Sequence, residues 1–430
     1  MPGVDTALAA RIAAGRPVRV ALIGAGATGR SVARHLLAPA PGIRLAAICN
    51  RTIEQAARAY AGAGAKGARQ VSSALALDEA ARRGEFAITD DPAVVCEADA
   101  IDLVLEVTGT VEYAATVVTR AIDGGKHVVL LNAELDSLLG PLLKARADAA
   151  GVVYTYSDGD EPGVAMTLLR YLRSTGLRPV AAGNLKGLVD HYRTPDTQRG
   201  FAEKFAQSAR TMTAAADATK LSMECALLAN ASGFRAGRRG MYGPACAHVN
   251  EIAGLLPADQ MLDGGLVDYA LGAAPHTGAF VIVHEPDPGN RAELAYFKLG
   301  EGPFYVFYTP FHLPQIQVAS SIARAAVLGD ATAAPLDGPV CEVLTVAKRD
   351  LDAGEVLDGV GGFCAYGLIE NAGTARTQDA LPMGLSEGSR LLHAIRRDQM
   401  IRFADVERPA GRLADRLWEE QAARWLAATP

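Results

Sequence analysis

Lys220 and Glu224 lie four residues apart in the stretch DATKLSMECALLANASG, at the start of a mostly apolar run. Residues at this spacing are neighbours on a helix, so the carboxylate of Glu224 can orient the ammonium of Lys220. An ammonium held in this way can polarise a carbonyl oxygen and stabilise a developing alkoxide. Burial would lower the pKa of Lys220, and Asp217, which precedes it in the same stretch, would counteract that effect. We predict catalytic roles for all three residues; the alternative is an exposed ion pair on a buried helix, with no chemical role.

A second lysine, Lys186, lies in the glycine-bounded turn GNLKG, shortly after Asn184. A lysine in such a turn can bind a carboxylate or a phosphate. We therefore predict that Lys186 belongs to the catalytic set, where it holds the anionic end of a substrate, and that Asn184 contacts the substrate. The alternative is a turn lysine that points into solvent.

Three carboxylates lie close together in the stretch SDGDEP, namely Asp158, Asp160 and Glu161. Hard cations take oxygen ligands, so this pattern predicts a site for a divalent cation, Mg²⁺ or Mn²⁺. Asp160 and Glu161 are also candidates for binding substrate hydroxyls, and Glu134 is a further candidate for the substrate site. An acid before Glu-Pro can instead cap a helix, but capping accounts for one carboxylate and not for three.

A glycine motif near the beginning of the chain could bind the cofactor of such a reaction. The stretch VRVALIGAGATGRSVAR reads as a strand, a G-x-G-x-x-G loop and a helix. In this pattern the glycines permit a tight turn, close approach of a pyrophosphate and close helix–strand packing, and the helix N-terminus attracts the phosphates. A purely structural turn is the alternative. The predicted cofactor-binding residues of this loop are Gly24, Ala25, Gly26, Ala27, Thr28 and Gly29.

The end of the second strand bears on which dinucleotide is bound. That strand ends in ICNRT, without the Asp or Glu that usually holds the ribose hydroxyls of NAD. Arg51 can pair with a 2′-phosphate, and Asn50 can still bond a ribose hydroxyl. NADP(H) is therefore favoured over NAD(H), unless Arg51 is only a solvated surface residue. At the ends of later strands we expect further cofactor contacts, from Thr108, Gly109 and Asn132.

The elements around these residues predict an α/β protein with several domains. Between residues 18 and about 156, short β-rich runs alternate with helix-like runs, which indicates parallel βαβ units. The next part has longer Ala-rich helical segments and separate β-like runs, which is typical of an α+β domain. The predicted parts are a Rossmann-type domain, a central substrate and dimerisation domain, a β-rich domain and a C-terminal helix, at residues 1–157, 158–335, 336–410 and 411–430.

Several of these stretches resemble a known family. The glycine loop, GGKHVVLLNAE and DATKLSMECALLANASG resemble the homoserine dehydrogenase superfamily. The chain is most similar to its 1-deoxy-D-xylulose 5-phosphate reductoisomerase-like branch, in GKHVVLLNAELDSLLGPLLK, DGDEP, MYGP, VDYALG, LGEGPFYVFYTPFHLPQIQV and AKRDLDAGEVLD. This resemblance implies that the β-rich part is a SAF (β-clip) domain that closes the substrate site or forms a subunit interface. A straightforward homoserine dehydrogenase is disfavoured, because the stretch LNAE lacks that family's lysine and the interval from Asp217 to Lys220 is shorter.

Together, the residues and the resemblance predict an NAD(P)H-dependent oxidoreductase. Its expected substrate is a small polar carbonyl or polyol that carries a phosphate or a carboxylate. If the chain behaves as a reductoisomerase, a rearrangement of the carbon skeleton precedes hydride transfer. The alternatives are a plain alcohol dehydrogenase similar to homoserine dehydrogenase, and a non-catalytic dinucleotide-binding regulatory protein.

Composition limits the other classes of function. The chain has 42 Lys and Arg against 48 Asp and Glu, a net charge of -6, and no long basic run, which argues against nucleic acid and anionic membranes as partners. We find no signal peptide and no membrane span, so a cytoplasmic protein is expected. The six cysteines include no C-x-x-C pair, which favours reduced, buried thiols. We also expect a homo-oligomer, a dimer or a tetramer.

Overall fold

The computed structural model describes residues 3–38 and 42–425, which form two compact units. The first unit contains residues 1–160 and 313–334, and the second contains residues 161–312 and 335–430. Residues 313–334, which the sequence places at the end of the central domain, thus belong to the first unit. They do so because their apolar helix packs in its core and the N–H of Tyr156 donates to the carbonyl of Ala333 (2.7 Å).

The first unit is built on a seven-stranded sheet in which every pairing is parallel. Its order is β3-β4-β2-β1-β5-β6-β7. The strands are β1 Val18–Ile23, β2 Ile43–Cys49, β3 Arg69–Gln70, β4 Ala87–Thr89, β5 Leu103–Glu106, β6 His127–Leu130 and β7 Tyr154–Tyr156. The central strands are apolar along their length because helices cover both faces of a parallel sheet. The predicted Rossmann-type sheet is confirmed.

The second unit contains a mixed five-stranded sheet and two small antiparallel pairs. The order of the large sheet is β12-β11-β8-β10-β9, with β11 antiparallel to both of its neighbours. Its strands are β8 Arg178–Lys186, β9 Arg235–Ala236, β10 Leu266–Leu271, β11 Ala279–His284 and β12 Phe304–Thr309. The pairs are β13 Cys341–Ala347 with β14 Ala365–Asn371, and β15 Arg390–Leu391 with β16 Val406–Glu407. These pairs are compatible with the expected β-rich C-terminal part, and its identity as a SAF domain stays a prediction.

The helices fall into both units. In chain order they are α1 Val4–Ala13, α2 Ala27–Leu37, α3 Ile53–Gly62, α4 Ala74–Arg82, α5 Pro92–Glu97, α6 Glu112–Asp123, α7 Ala133–Ala149, α8 Glu161–Ser174, α9 Pro195–Lys204, α10 Ala209–Ala216, α11 Thr219–Ser232, α12 Ala258–Leu262, α13 Pro288–Tyr296, α14 Pro314–Ala323, α15 Ala372–Thr377 and α16 Leu413–Trp425. The predicted C-terminal helix thus corresponds to α16, and residues 426–430 lie outside the described part. No helix in the described ranges is both long and apolar enough to cross a bilayer.

Helix α11 is buried almost all round in the core of the second unit. Of its 14 residues, Lys220 alone is not buried. A helix enclosed on all sides has no solvent-facing stripe, which explains why its sequence lacks the usual alternation of apolar and polar positions. The polar residues of this helix, Glu224 among them, must therefore find partners inside the protein.

Candidate functional site

The glycine loop after β1 depends on glycine at two positions. Gly24 has a φ of +102°, a conformation that other residues rarely adopt, and its N–H donates to the carbonyl of Cys49 (2.9 Å). A Cβ on Gly29 would lie 2.0 Å from the carbonyl oxygen of Gly24, closer than any real contact. The start of α2 is therefore packed directly against the loop, as the motif predicts.

The start of α2 has room and donors for an anion. No side chain caps this helix at Gly26, and a Cβ there would meet no heavy atom within 4 Å. The first amides of a helix have no intrahelical partners, and the helix dipole gives this end a partial positive charge. The chain here thus fits the pyrophosphate of a dinucleotide.

The two residues after β2 have different environments. The Asn50 Oδ1 accepts the N–H of Ala25 (2.9 Å), and its Nδ2 donates to the carbonyl of Thr52 (2.9 Å), so this side chain braces the glycine loop. Arg51 is exposed and forms no ion pair within the described ranges. Arg51 is therefore available to an anionic ligand, while a ribose contact by Asn50 stays a prediction.

The loop after β5 lies against the glycine loop. A Cβ on Gly24 would lie 3.1 Å from Cγ2 of Thr108, and the hydroxyls of Thr108 and Thr110 are 2.9 Å apart. Gly109 has a φ of +65°. Asn132 caps α7 by accepting the N–H of Leu135 (3.0 Å). The structure therefore brings the predicted cofactor-binding residues of β1, β2 and β5 together at one edge of the sheet.

A buried carboxyl at this edge, that of Glu106, is not among the residues predicted from the sequence. It is 0% exposed and accepts hydrogen bonds from the N–H of Thr108 (2.8 Å) and from Nδ2 of Asn132 (2.7 Å). Burial raises the pKa of Glu106 to about 7, although both hydrogen bonds oppose the shift. The signal that could have revealed it is the one acid within the apolar run LVLEV.

The carboxylates of the acidic turn make different contacts. In the first unit, Oδ1 of Asp158 accepts the N–H of Gly159 (2.9 Å), and Asp160 accepts the hydroxyl of Tyr156 (2.5 Å). Glu134, the other predicted substrate residue of this unit, lies half-buried in the first turn of α7. The third carboxylate, Glu161, starts α8 of the second unit. Hydrogen bonds from Gly159 and Tyr156 thus occupy some of the carboxylate oxygens that were predicted to bind a cation.

Lys186 lies between two carboxylates of the second unit. Its Nζ, at the end of β8, is 2.5 Å from Oε1 of Glu161 and 3.1 Å from Oε2 of Glu224. Burial would lower the pKa of Lys186, but the two carboxylates outweigh it and hold this pKa above its usual range. Burial likewise works against the ionised form of Glu161, yet the nearby Lys186 lowers the pKa of that carboxyl. Lys186 and Glu161 are therefore both charged near neutral pH.

Glu224 links Lys186 to Lys220. The Nζ of Lys220 lies 3.0 Å from Oε1 of Glu224, and the Lys220 side chain is 30% exposed while that of Glu224 is 0% exposed. Asn184 donates through Nδ2 to Oε2 of Glu224 (2.8 Å). With Glu161, the structure thus gathers five of the predicted residues, and Lys220 has the more accessible side chain of the two lysines.

His312 lies next to Glu161 of this cluster. Its Nε2 lies 3.8 Å from Oε2 of Glu161, and its Nδ1 is 2.8 Å from the hydroxyl of Thr277. The histidine therefore adjoins the lysine–glutamate cluster. No local spacing in the sequence could have shown this, because the two residues lie far apart along the chain.

Asp217 has a different partner from the one expected. Its Oδ2 lies 2.8 Å from Nζ of Lys348, and its Oδ1 accepts the N–H of Thr219 (2.9 Å). The Nζ of Lys348 also donates to the carbonyls of Arg193 (2.7 Å) and Gly362 (2.8 Å). Because its carboxylate is paired with a buried lysine just before α11, Asp217 supports the fold of this region. Its predicted effect on the pKa of Lys220 stays a prediction.

The cysteines form no disulfide within the described ranges, and five of the six are buried. Burial raises the pKa of the Cys49 thiol to about 12. Cys49, which adjoins the predicted ribose site, is therefore a protonated, unreactive thiol at neutral pH.

Comparison with protein families gives two matches that follow one another along the chain. Residues 24–156 match the model of the homoserine dehydrogenase NAD-binding domain. Residues 159–318 match the model described as the catalytic domain of oxidoreductase DRL. The two matches indicate an NAD(P)-dependent oxidoreductase of the dehydrogenase type.

Comparison with solved structures gives weak matches. One is a levoglucosan dehydrogenase in complex with NADH and levoglucosan, at 16% identity over 74% of this chain and 91% of that one, with a TM-score of 0.40. A homoserine dehydrogenase from Thiobacillus denitrificans matches at 15% identity over 90% of this chain and 98% of its own, with a TM-score of 0.43. The 3-ketoreductase KijD10 from Actinomadura kijaniata, solved with NADP, matches at 14% identity over 74% and 91%, with a TM-score of 0.38. Such similarities are too weak to support a substrate. Among curated proteins, no match was found.

Proposed function

We propose that this chain is an NADP(H)-dependent oxidoreductase that acts on a small polar carbonyl or polyol carrying a phosphate or a carboxylate. The observation that carries the proposal is the position of Lys220. It is the one residue of α11 that is not buried, and the buried carboxylate of Glu224 holds its ammonium. A helix otherwise closed to solvent thus presents a single oriented cation.

The chemistry follows from the position of that cation. The bound nicotinamide supplies or accepts a hydride. In the direction of reduction, the substrate oxygen gains negative charge, and Lys220 stabilises this charge and donates a proton. Glu224 keeps the ammonium in place, so that little reorganisation is needed when the charge develops.

Lys186 is proposed to hold the anionic end of the substrate. Its ammonium has three donors, and Glu161 and Glu224 take two of them. The third donor is then available to a phosphate or carboxylate oxygen. Because the two carboxylates keep Lys186 charged, this contact does not depend on pH in the neutral range.

The proposed preference for NADP(H) rests on the residues after β2. Arg51 is exposed and has no ion-pair partner within the described ranges, and the three residues directly after the strand, 50–52, include no acid that would repel a 2′-phosphate. The side chain of Asn50 braces the glycine loop through its Oδ1. A guanidinium in this position is suited to a phosphate.

We propose a divalent cation, Mg²⁺ or Mn²⁺, only for the reductoisomerase alternative, in which the carbon skeleton rearranges before hydride transfer. Asp158 and Asp160 already accept bonds from Gly159 and Tyr156, and Glu161 pairs with Lys186. These residues offer oxygen ligands, but a bound cation would have to displace these hydrogen-bond and ion-pair partners. No step of the mechanism above depends on a metal.

The test is to follow the nicotinamide absorbance of the purified protein with a panel of phosphorylated ketoses and hydroxy acids, each with NADPH, NADP⁺, NADH and NAD⁺. Turnover of a phosphate- or carboxylate-bearing compound with the NADP pair is expected. A product with an altered carbon skeleton would select the reductoisomerase, and a simple alcohol–carbonyl pair the plain dehydrogenase. Tight dinucleotide binding without turnover of any compound would contradict the proposal and favour a regulatory protein. Sedimentation of the same preparation tests the proposed dimer or tetramer.

A further inference from the structure

The carboxyl of Glu106 joins two loops at the carboxyl edge of the first unit's sheet. One oxygen accepts the N–H of Thr108 (2.8 Å), in the loop after β5, and the other accepts Nδ2 of Asn132 (2.7 Å), after β6. Glu106 and Asn132 are both 0% exposed. Two adjacent strands of the sheet are therefore connected at their ends through a single side chain.

Asn132 carries the connection further. Its Nδ2 also donates to the carbonyl of Thr110 (2.9 Å), and its Oδ1 accepts the N–H of Leu135 (3.0 Å) in the first turn of α7. Both hydrogens of the Nδ2 group and one acceptor position of Oδ1 are thus in use. The loop at 107–110 is held at both ends, by Glu106 at Thr108 and by Asn132 at Thr110.

The arrangement favours an ionised acid. Each of the two donors is directed at its own carboxyl oxygen, and both oxygens are strong acceptors only when the group carries no proton. No basic side chain in the described ranges pairs with Glu106. The titratable groups that interact with it are Glu134 on α7, Tyr113 on α6 and Tyr154 on β7, none of which is a cation. A buried acid with neutral donors costs stability, so an apolar residue would serve the core better.

The loop that Glu106 holds lies where a dinucleotide would bind. Thr108 lies against Gly24, the first glycine of the G-x-G-x-x-G loop. We propose that Glu106 is a positioning residue for the dinucleotide, whose carboxylate fixes the loop at 107–110 and Asn132 as one wall of the nicotinamide site. This inference rests on the proposed function, since it assumes that a nicotinamide dinucleotide binds here.

Protonation of Glu106 would weaken this wall. When the carboxyl gains a proton, the protonated oxygen becomes a hydrogen-bond donor and a weaker acceptor for the N–H group directed at it. Because burial raises the pKa of Glu106 to about 7, the change occurs near neutral pH. Dinucleotide affinity should therefore be higher above this pH and should fall as the pH is lowered.

The experiment compares the wild type with Glu106→Gln and with a matched control, Asp136→Asn. Asp136 is also a 0% exposed acid of the first unit, bonded to the hydroxyl of Tyr154 (2.9 Å), but it holds no loop of the glycine motif. NADPH fluorescence titrations between about pH 6 and about pH 8 give the dissociation constants. Because every protein is titrated with the same ligand, protonation of its 2′-phosphate cancels in the ratio of the dissociation constants of variant and wild type. Glu106→Gln should bind NADPH about fivefold more weakly at the higher pH, and its deficit should shrink as the pH falls. Asp136→Asn should follow the wild type.

Hydrogen exchange of the cofactor-free proteins separates positioning from general damage. The amides of residues 107–110 should exchange about tenfold faster in Glu106→Gln than in the wild type, and not in Asp136→Asn. The double variant Glu106→Gln/Asn132→Asp reverses donor and acceptor in this pair, so it should recover part of the affinity that Glu106→Gln loses. Unchanged NADPH affinity, unchanged exchange or an equal effect of Asp136→Asn would overturn the positioning role alone. If the wild type binds no dinucleotide, the proposed function fails with it.

Discussion

The ammonium of Lys348 lies 2.8 Å from the carboxylate of Asp217, and the two side chains are 2% and 0% exposed. Lys348 directly follows β13, and Asp217 lies just before α11, the helix of Lys220 and Glu224. The C-terminal part of the second unit is therefore connected to the start of the candidate catalytic helix by a buried ion pair. Carbonyls of Arg193 and Gly362 complete the coordination of the ammonium.

Removal of one partner of this pair should destabilise the protein strongly. Lys348→Met leaves the carboxylate of Asp217 buried without a cation, which should lower the free energy of unfolding by about 3–5 kcal/mol. Urea denaturation followed by circular dichroism measures this. The double variant with Asp217→Asn should lose less than the sum of the two single variants. Arg199→Met, which removes the exposed pair of Arg199 with Asp196, should cost under about 1 kcal/mol, and an equal loss would contradict the assignment.

Lys220 should be needed for turnover rather than for folding. Lys220→Met removes the proposed proton donor, and kcat for the substrate found by the panel should fall about 10²–10⁴-fold. The melting temperature should change little because Lys220 is the residue of α11 that is not buried. Lys204→Met, an exposed lysine of the same unit, is the control and should keep full activity. Full activity of Lys220→Met would remove the catalytic assignment.

Arg51 should decide between the two dinucleotides. Arg51→Ala should weaken NADPH binding about 10–100-fold, the effect of lost charge-assisted hydrogen bonds, and leave NADH binding nearly unchanged. Fluorescence titration with both cofactors measures the two affinities. Arg58→Ala, on the exposed face of α3, provides the control. Equal losses for both dinucleotides would show that Arg51 does not contact a 2′-phosphate.

The glycine loop offers two substitutions with opposite outcomes. Gly26→Ala places a methyl where no heavy atom lies within 4 Å, so the protein should keep its melting temperature while dinucleotide affinity falls. Gly29→Ala forces a methyl to within 2.0 Å of the carbonyl oxygen of Gly24, so the melting temperature itself should fall. Calorimetry and NADPH titration separate the two effects. Undiminished affinity in Gly26→Ala would mean that the pyrophosphate does not approach this position.

Asp136 should make the protein less stable as the pH rises. Burial raises its pKa from an ordinary value of 3.8 to about 7, so the folded protein retains a proton that the unfolded chain has lost. The stabilisation is complete below about pH 4 and disappears as the pH rises through about 7, with a slope of about 1.4 kcal/mol per pH unit. Asp136→Asn should remove this contribution to the slope of the free energy of unfolding against pH, which urea denaturation at a series of pH values measures. Identical slopes in both proteins would contradict a protonated Asp136.

Features that depend on neighbouring positions could be predicted from the sequence. The glycines at 24, 26 and 29 lie within one turn, so their spacing alone indicates the loop after β1. The pairing of Lys220 with Glu224 follows from the pitch of a helix. The alternation of strands and helices indicates the parallel sheet, because parallel strands require crossover connections.

Only the tertiary structure decided which distant residues meet. Lys186 contacts Glu161 and Glu224 because β8, α8 and α11 pack together in one core, which no local periodicity encodes. The same holds for Lys348 with Asp217, where the sequence suggested a local role for the aspartate. The sequence by itself thus determined the glycine loop, the sheet and the lysine-bearing helix, through short-range sterics and helical pitch. The partners of Lys186, Lys348 and Asp217 were decided by the folded core, because a charge removed from water is stabilised by the opposite group that the packing brings to it.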